Sequence, residues 1–209
     1  MPAGDQLGRQ LGRGIARRQW LGAGLAWTLA SNGGPALGQP VGPDAESLLR
    51  AGGVVLALRH ALAPGTFDPP GFRLGDCSTQ RNLNNEGRAQ ARRVGAWFEG
   101  RHLKPVRVRS SPWCRCVDTA TLAFGAAERW AALGSPRGSV EATNAEHLRA
   151  LRQALQAVSA RRGQFEVWVT HMFVLSDLMD GGGAGSGEGL LLRAGADGKP
   201  QLLARLTPA

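Results

Sequence analysis

Apolar positions along the chain fall into two kinds of block. Val54-Val55-Leu56-Ala57-Leu58 is a continuous apolar run after Gly52-Gly53, the pattern of a short strand buried on both faces. Residues 166–170 read as a second strand, followed at once by His171 and a short helix. Residues 106–110 alternate apolar and basic, as a strand does. Between these, residues 86–98 carry Ala89, Val94, Ala96, Trp97 and Phe98 at roughly helical spacing. Pro112 suits a first helical turn and predicts a helix running to about Phe124. Thr143 and Glu146 have capping-box spacing ahead of Leu148, Leu151, Leu155 and Val158. Residues 181–187 form a glycine-rich loop, and two candidate strands, 189–192 and 201–206, flank a turn at Asp197-Gly198. Strands alternating with helices predict an α/β fold with a largely parallel sheet covered on both faces.

The first forty residues break this pattern. Arg9, Arg13, Arg17 and Arg18 precede an uncharged stretch, residues 19–39, with an apolar core at residues 21–30 and a small-x-small site at Ala36-Leu37-Gly38. That apolar core is too short to span a bilayer, which takes about 20 residues. A basic start, a short apolar run and a small-residue site make a signal peptide over residues 1–38, with cleavage after Gly38. Arg17-Arg18 followed by Gln19-Trp20-Leu21 resembles a twin-arginine export signal. The expectation is therefore a bacterial exported protein, periplasmic in location, served by the export machinery and keeping no stable membrane anchor after cleavage.

Charge matters once that segment is set aside. The 209 residues carry 25 Lys+Arg against 16 Asp+Glu, a formal net charge of +9, and only Lys104 and Lys199 of those basic residues are lysine. An isoelectric point near 11.2 invites a nucleic-acid reading. Residues 1–38 hold four arginines and one aspartate, so the remaining chain carries +6. Its arginines are scattered, with no run longer than the pairs Arg92-Arg93 and Arg161-Arg162, as on an ordinary solvated surface. Nucleic acid is thus not an expected partner. Three cysteines, Cys77, Cys114 and Cys116, cannot build a disulfide framework.

The candidate chemistry sits where strands end. Arg59-His60 follows the first strand without a spacer, and His171 follows a later one in the same way. Ligands of open α/β sheets bind beyond the carboxyl ends of their strands. The motifs Leu58-Arg59-His60-Ala61, Ser110-Ser111-Pro112-Trp113-Cys114-Arg115 with Thr119-Ala120, and Val169-Thr170-His171 resemble those of the histidine phosphatase superfamily, in its phosphoglycerate-mutase-like branch 1. The intervening Asp76-Cys77-Ser78-Thr79-Gln80-Arg81-Asn82-Leu83, with Gly87-Arg88, fits the same family's loop and helix after its first motif. The resemblance implies a three-layer α/β/α sandwich and a phosphomonoester hydrolase working through a phosphohistidine, with no metal and no cofactor. By resemblance His60 is the nucleophile, His171 donates a hydrogen bond to the phosphoryl group, and Arg59 and Arg115 bind its oxygens.

Elementary chemistry agrees. A phosphate monoester repels attacking groups, so a site must neutralise the phosphoryl oxygens and offer a neutral nucleophile. Guanidinium forks match those oxygens in a way lysine does not. Nearby guanidinium charge should lower the pKa of His60 and keep its ring neutral. The helix starting at Pro112 should also aim its free N–H groups at the pocket.

The leaving alkoxide needs a proton, and Glu188, just after the glycine loop, is the first candidate donor. Glu146 competes, although its capping position suggests a structural task; Asp68 and Asp76 lie in the loop after His60. Ala61 stands where the family's commonest form has glycine, which requires the chain to leave the site by an ordinary backbone path. With the Pro-rich stretch of residues 64–75, this favours a phosphatase acting on a small phosphorylated substrate over a phosphoglycerate mutase-type phosphotransferase. A phosphate-recognition protein of the same fold with impaired turnover is the second reading. In an oxidising compartment Cys77 can bond to Cys114 or to Cys116; three buried thiols are the other possibility.

Overall fold

The computed structural model describes residues 44–136 and 141–208; the expected export signal and its cleavage site lie outside the described residues. Six strands form one sheet: β1 (Val54–Arg59), β2 (Arg107–Ser110), β3 (Glu128–Arg129), β4 (Phe165–Thr170), β5 (Gly189–Ala194) and β6 (Pro200–Leu206). Their order is β3-β2-β4-β1-β5-β6. β3, β2, β4 and β1 are parallel neighbours, whereas β5 pairs antiparallel with β1 and β6 antiparallel with β5. The mostly parallel α/β sheet expected from the pattern is the observed one.

Alternation along the central strands sorts side chains to the two faces. Leu56, Leu58, Val167 and Val169 pack with Val94, Phe98 and Ala120 on one face. That face is covered by α1 (Ala45–Ala51), α2 (Asn85–Glu99) and α3 (Cys114–Phe124). Val55, Ala57 and Trp168 pack with Leu151, Leu155 and Leu175 on the other, beneath α4 (Glu141–Ser159) and α5 (Met172–Leu178). The result is a three-layer α/β/α sandwich. Because both faces of β1 and β4 are covered, β1 is apolar from Val54 to Leu58 rather than alternating, and β4 departs from that pattern at the buried Glu166, whose carboxylate accepts from Trp168 Nε1 at 3.0 Å.

Four elements differ from the sequence pattern. α4 begins at Glu141, so Thr143 and Glu146 lie inside the helix and form no capping box. α3 begins two residues after Pro112, with Trp113 at its N-cap position. α1 and the two-residue β3 have no counterpart in the pattern. α1 is started by Asp44, whose side chain accepts from the Ser47 amide at 2.8 Å.

One glycine fixes how closely α2 approaches the site. A Cβ on Gly87 would stand 1.9 Å from the Leu62 carbonyl oxygen. Only glycine lets the first turn of α2 rest against the segment that leaves β1. That segment is further held by Gln90 of α2, whose Oε1 accepts from the Leu62 amide at 2.9 Å while Nε2 donates to the Ser186 carbonyl at 2.7 Å.

Candidate active site

Three neighbouring parallel strands end side by side: β2 at Ser110-Ser111, β4 at Thr170-His171 and β1 at Arg59-His60. The His60 amide donates to Thr170 O at 3.0 Å and the Ser111 amide to Val169 O at 2.8 Å. The ladder thus runs to the last residue before the chemistry starts, and places the His60 and His171 rings 5.6 Å apart between centroids. Both histidines are almost fully buried, at 2% and 3% exposure, and both line a cavity of about 440 Å³ that Arg59, Arg81, Arg115 and Asp68 also line.

The hydrogen bonds fix the tautomer of His60. Its Nδ1 lies 2.8 Å from the carbonyl oxygen of Ala61. A carbonyl oxygen only accepts, so Nδ1 carries the proton and Nε2 keeps the lone pair. Burial lowers the pKa of His60 to about 3; the bond to Ala61 works against this, and the guanidinium charges of Arg115, Arg81 and Arg59 add to it. Guanidinium charge lowers this pKa as expected, but desolvation is the larger cause. Ala61 is itself clamped, its amide donating at 3.0 Å to Thr119 Oγ1, which donates in turn to the Arg115 carbonyl at 2.7 Å. Among the described non-glycine residues positive φ occurs only at His102 and Asp180, so Ala61 leaves the site along the ordinary path expected of it.

His171 meets a donor at one ring nitrogen and an acceptor at the other. Nη2 of Arg115 lies 3.4 Å from Nδ1 and can only donate, so Nδ1 accepts, and Nε2–H donates to Ser111 Oγ at 2.8 Å. Burial, with Arg115 and His60 next, holds its pKa well below the ordinary value.

Three guanidinium groups converge here. Arg59 donates from Nη1 to Ala184 O at 2.9 Å, and Arg81 donates to Ala63 O. Arg115 is 4% exposed and spreads both terminal nitrogens over Asp68, with Nη1–Oδ1 at 2.8 Å and Nη2–Oδ2 at 3.3 Å. The Nε–H groups of all three arginines are buried and have no acceptor among the described residues. A buried donor left unpaired in this way costs about 1–3 kcal/mol, so the cluster is arranged for anionic oxygens.

The candidate proton donors separate. Glu188 does not line the cavity: its carboxylate accepts from the Gly185 amide at 2.6 Å and from Arg205 Nη1 at 2.8 Å. Burial works to raise its pKa, but those two partners outweigh it and hold the carboxyl low. Glu146 is exposed on α4, and Asp76 caps the turn Cys77–Thr79 while pairing with Arg73 at 2.7 Å. Asp68 is the acidic residue that lines the cavity. Burial pushes its pKa up, yet the Arg81 amide, Arg115 and Trp113 together hold it below the usual carboxylate range.

Several site residues carried no assignment in the sequence. Arg81 follows the turn at Cys77–Thr79, and Ser111, Trp113 and Thr119 lie around Arg115; their roles come from tertiary contact, with Ala63, His171, Asp68 and Ala61 respectively. Cys77 and Cys114 are joined in a disulfide, and Cys116 is the free thiol, buried and pushed up to about 12 by that burial. The first amides of α3 are engaged within the protein: Trp113 N–H donates to Ser111 Oγ at 3.3 Å and Cys114 N–H to Gln80 Oε1 at 3.0 Å. The expectation that those N–H groups reach a phosphoryl group is corrected for these two. Among the described residues no cluster of three or more His, Cys, Asp or Glu is placed to hold a metal ion.

The family model of the histidine phosphatase superfamily (branch 1) matches residues 76–133. The fold is similar to that of Rv3214 from Mycobacterium tuberculosis, with a TM-score of 0.55 at 17% identity over 75% of this chain and 98% of that one. It is similar also to a phosphoserine phosphatase from Entamoeba histolytica (TM-score 0.51, 13% identity, 73% and 95% covered). A mycobacterial glucosyl-3-phosphoglycerate phosphatase solved with VO3 gives a TM-score of 0.52 at 15% identity, covering 75% and 99%. At these identities the likenesses speak for the fold alone. No curated protein matches the sequence significantly. The segment matched by the family model holds Arg81, Ser111 and Arg115.

Proposed function

We propose that the protein is a phosphomonoester hydrolase in which His60 Nε2 attacks phosphorus and becomes transiently phosphorylated. The observation that carries this reading is the Nδ1–Ala61 hydrogen bond, which leaves a neutral, buried Nε2 facing three guanidinium groups. In the first step the Nε2 lone pair forms the N–P bond and the P–O bond to the alcohol breaks. Water then attacks the phosphohistidine, the N–P bond breaks, and its electron pair returns to Nε2. Arg59, Arg81 and Arg115 neutralise the phosphoryl oxygens in both steps, and their buried Nε–H groups gain acceptors only when an anion is bound. Once a phosphoryl group takes Arg115, His171 is free to turn a ring N–H toward it.

The substrate is a small phosphorylated molecule, since the cavity of about 440 Å³ is in the lower range of ligand pockets. The Cys77–Cys114 disulfide favours an exported, oxidising location, as does the signal-like pattern of residues 1–38. Hydrolysis of p-nitrophenyl phosphate by the wild type and by His60→Ala tests the reading: turnover should vanish in the variant, and equal rates would refute it. Phosphate binding without wild-type turnover would instead favour a phosphate-recognition protein.

A further inference from the structure

We infer that Asp68 is the proton-transfer residue of this site and that it is held on Arg115 until a phosphoryl group displaces it. The inference rests on the phosphohistidine reading above. Both carboxylate oxygens of Asp68 lie on the guanidinium fork of Arg115, the bidentate geometry with which a phosphoryl group would bind the same nitrogens. Arg115 is otherwise in contact with His171, 3.4 Å from Nη2 to Nδ1. The carboxylate therefore stands one guanidinium away from the second histidine and occupies the place of the expected anion.

Displacement would not carry Asp68 away from the cavity. Its other donors belong to the walls: the Arg81 amide reaches Oδ1 at 3.0 Å and Trp113 Nε1 reaches Oδ2 at 3.2 Å. Neither is needed by the phosphoryl group. When the phosphoryl oxygens take the Arg115 fork, Asp68 loses its only charged hydrogen-bonding partner and keeps the two neutral ones. A carboxylate that exchanges a cation for a neighbouring anion becomes more basic. The proton comes with the substrate. A monoester has a second pKa near 6 and enters in part as the monoanion; three guanidinium groups favour the dianion, and Asp68 receives the proton released.

The steps then balance. His60 Nε2 forms the bond to phosphorus, the P–O bond breaks toward the alcohol oxygen, and that oxygen takes the proton of the Asp68 carboxyl. Asp68, again a carboxylate, accepts a proton from the attacking water as the N–P bond breaks, and free phosphate is released. No other acidic side chain lines the cavity among the described residues.

The test compares wild type, Asp68→Asn and His60→Ala on p-nitrophenyl phosphate and on glycerol 1-phosphate, with inorganic phosphate as competitor. A nitrophenolate leaves unaided, whereas an alkoxide needs a proton. Asp68→Asn should lose less than about 10-fold on the nitrophenyl ester and about 10²–10⁴-fold on the alkyl ester, the usual range for a lost general acid. Inorganic phosphate should inhibit the variant at a lower concentration than the wild type, because the resident carboxylate no longer competes; that inhibition also reports a folded pocket. Equal losses on both esters, no loss on either, or weaker inhibition by phosphate would overturn the role of Asp68 alone. Wild-type turnover no greater than that of His60→Ala would overturn the phosphohistidine reading, and this inference with it.

Discussion

Cys77 and Cys114 are bonded across a sequence separation of 37 residues, with their Cα atoms 5.7 Å apart. The bond ties the turn leading to Gln80 and Arg81 to the first residue of α3, one position before Arg115. Two of the three guanidinium groups of the site are therefore held in mutual register covalently, and Gln80 reinforces the tie by accepting from the Cys114 amide. In the chain-entropy picture a loop of this length contributes up to about 4 kcal/mol.

Reduction of the bond should lower the unfolding temperature and raise KM for phosphate esters more than it lowers kcat. Intact mass after alkylation in denaturant without reductant checks the pairing: one label, on Cys116, is expected. Three labels would show that the bond does not form.

Acid should destabilise the protein well above the range where carboxylates titrate. The pKa of His60 is about 3 in the folded chain against an ordinary value of 6.5. The unfolded chain thus binds the proton first, and the stabilisation is fully present above pH 6.5 and lost as pH falls toward 3. His171 is shifted in the same direction. Each group costs about 1.4 kcal/mol per pH unit within its window. Denaturant midpoints should fall steadily from pH 6.5 to 4.5 in the wild type and less steeply in His60→Gln. A flat profile would contradict the buried neutral rings.

Arg81 should matter as much as the two arginines that the motifs single out. Arg81→Ala should reduce kcat/KM on p-nitrophenyl phosphate by about 10²–10³, the effect of removing one preorganised donor to developing charge. Arg81→Lys keeps the charge and loses the fork, so it should recover only part of that loss. A decrease below 3-fold in Arg81→Ala would remove the residue from the phosphate site.

Gly87→Ala tests the packing beneath the site. The added methyl would meet the Leu62 carbonyl oxygen at 1.9 Å, so α2 must shift and the segment after His60 with it. Stability should drop by about 1–3 kcal/mol, as for other overpacked positions, and activity should fall in parallel.

How much was legible from the chain depends on whether a feature is local. Arg59-His60 and Thr170-His171 could be found because each follows an apolar strand directly, and strand ends are where such sheets bind ligands. Arg115 was readable through its motif at the start of α3. Asp68 carries its meaning only through tertiary contact: its partners are residues 81, 113 and 115, and residues 61–84 show no periodicity to place them. Glu188 illustrates the reverse case. Its position after the glycine loop brings it near the end of β1, but Arg205 on β6 draws the carboxylate aside; the two strands and their turn are legible in the pattern, the meeting of these two side chains is not. β3 is too short for alternation to mark it.

The central claim is that His60 carries the phosphoryl group. The direct measurement is to mix the protein with a ³²P-labelled phosphomonoester, quench in base after milliseconds, and count the label retained on protein. The account predicts label that is stable to base, released by mild acid, mapped to the peptide containing His60 and absent from His60→Ala. Hydrolysis of the ester by wild type with no protein-bound label at any time, or label equally present in His60→Ala, would contradict it.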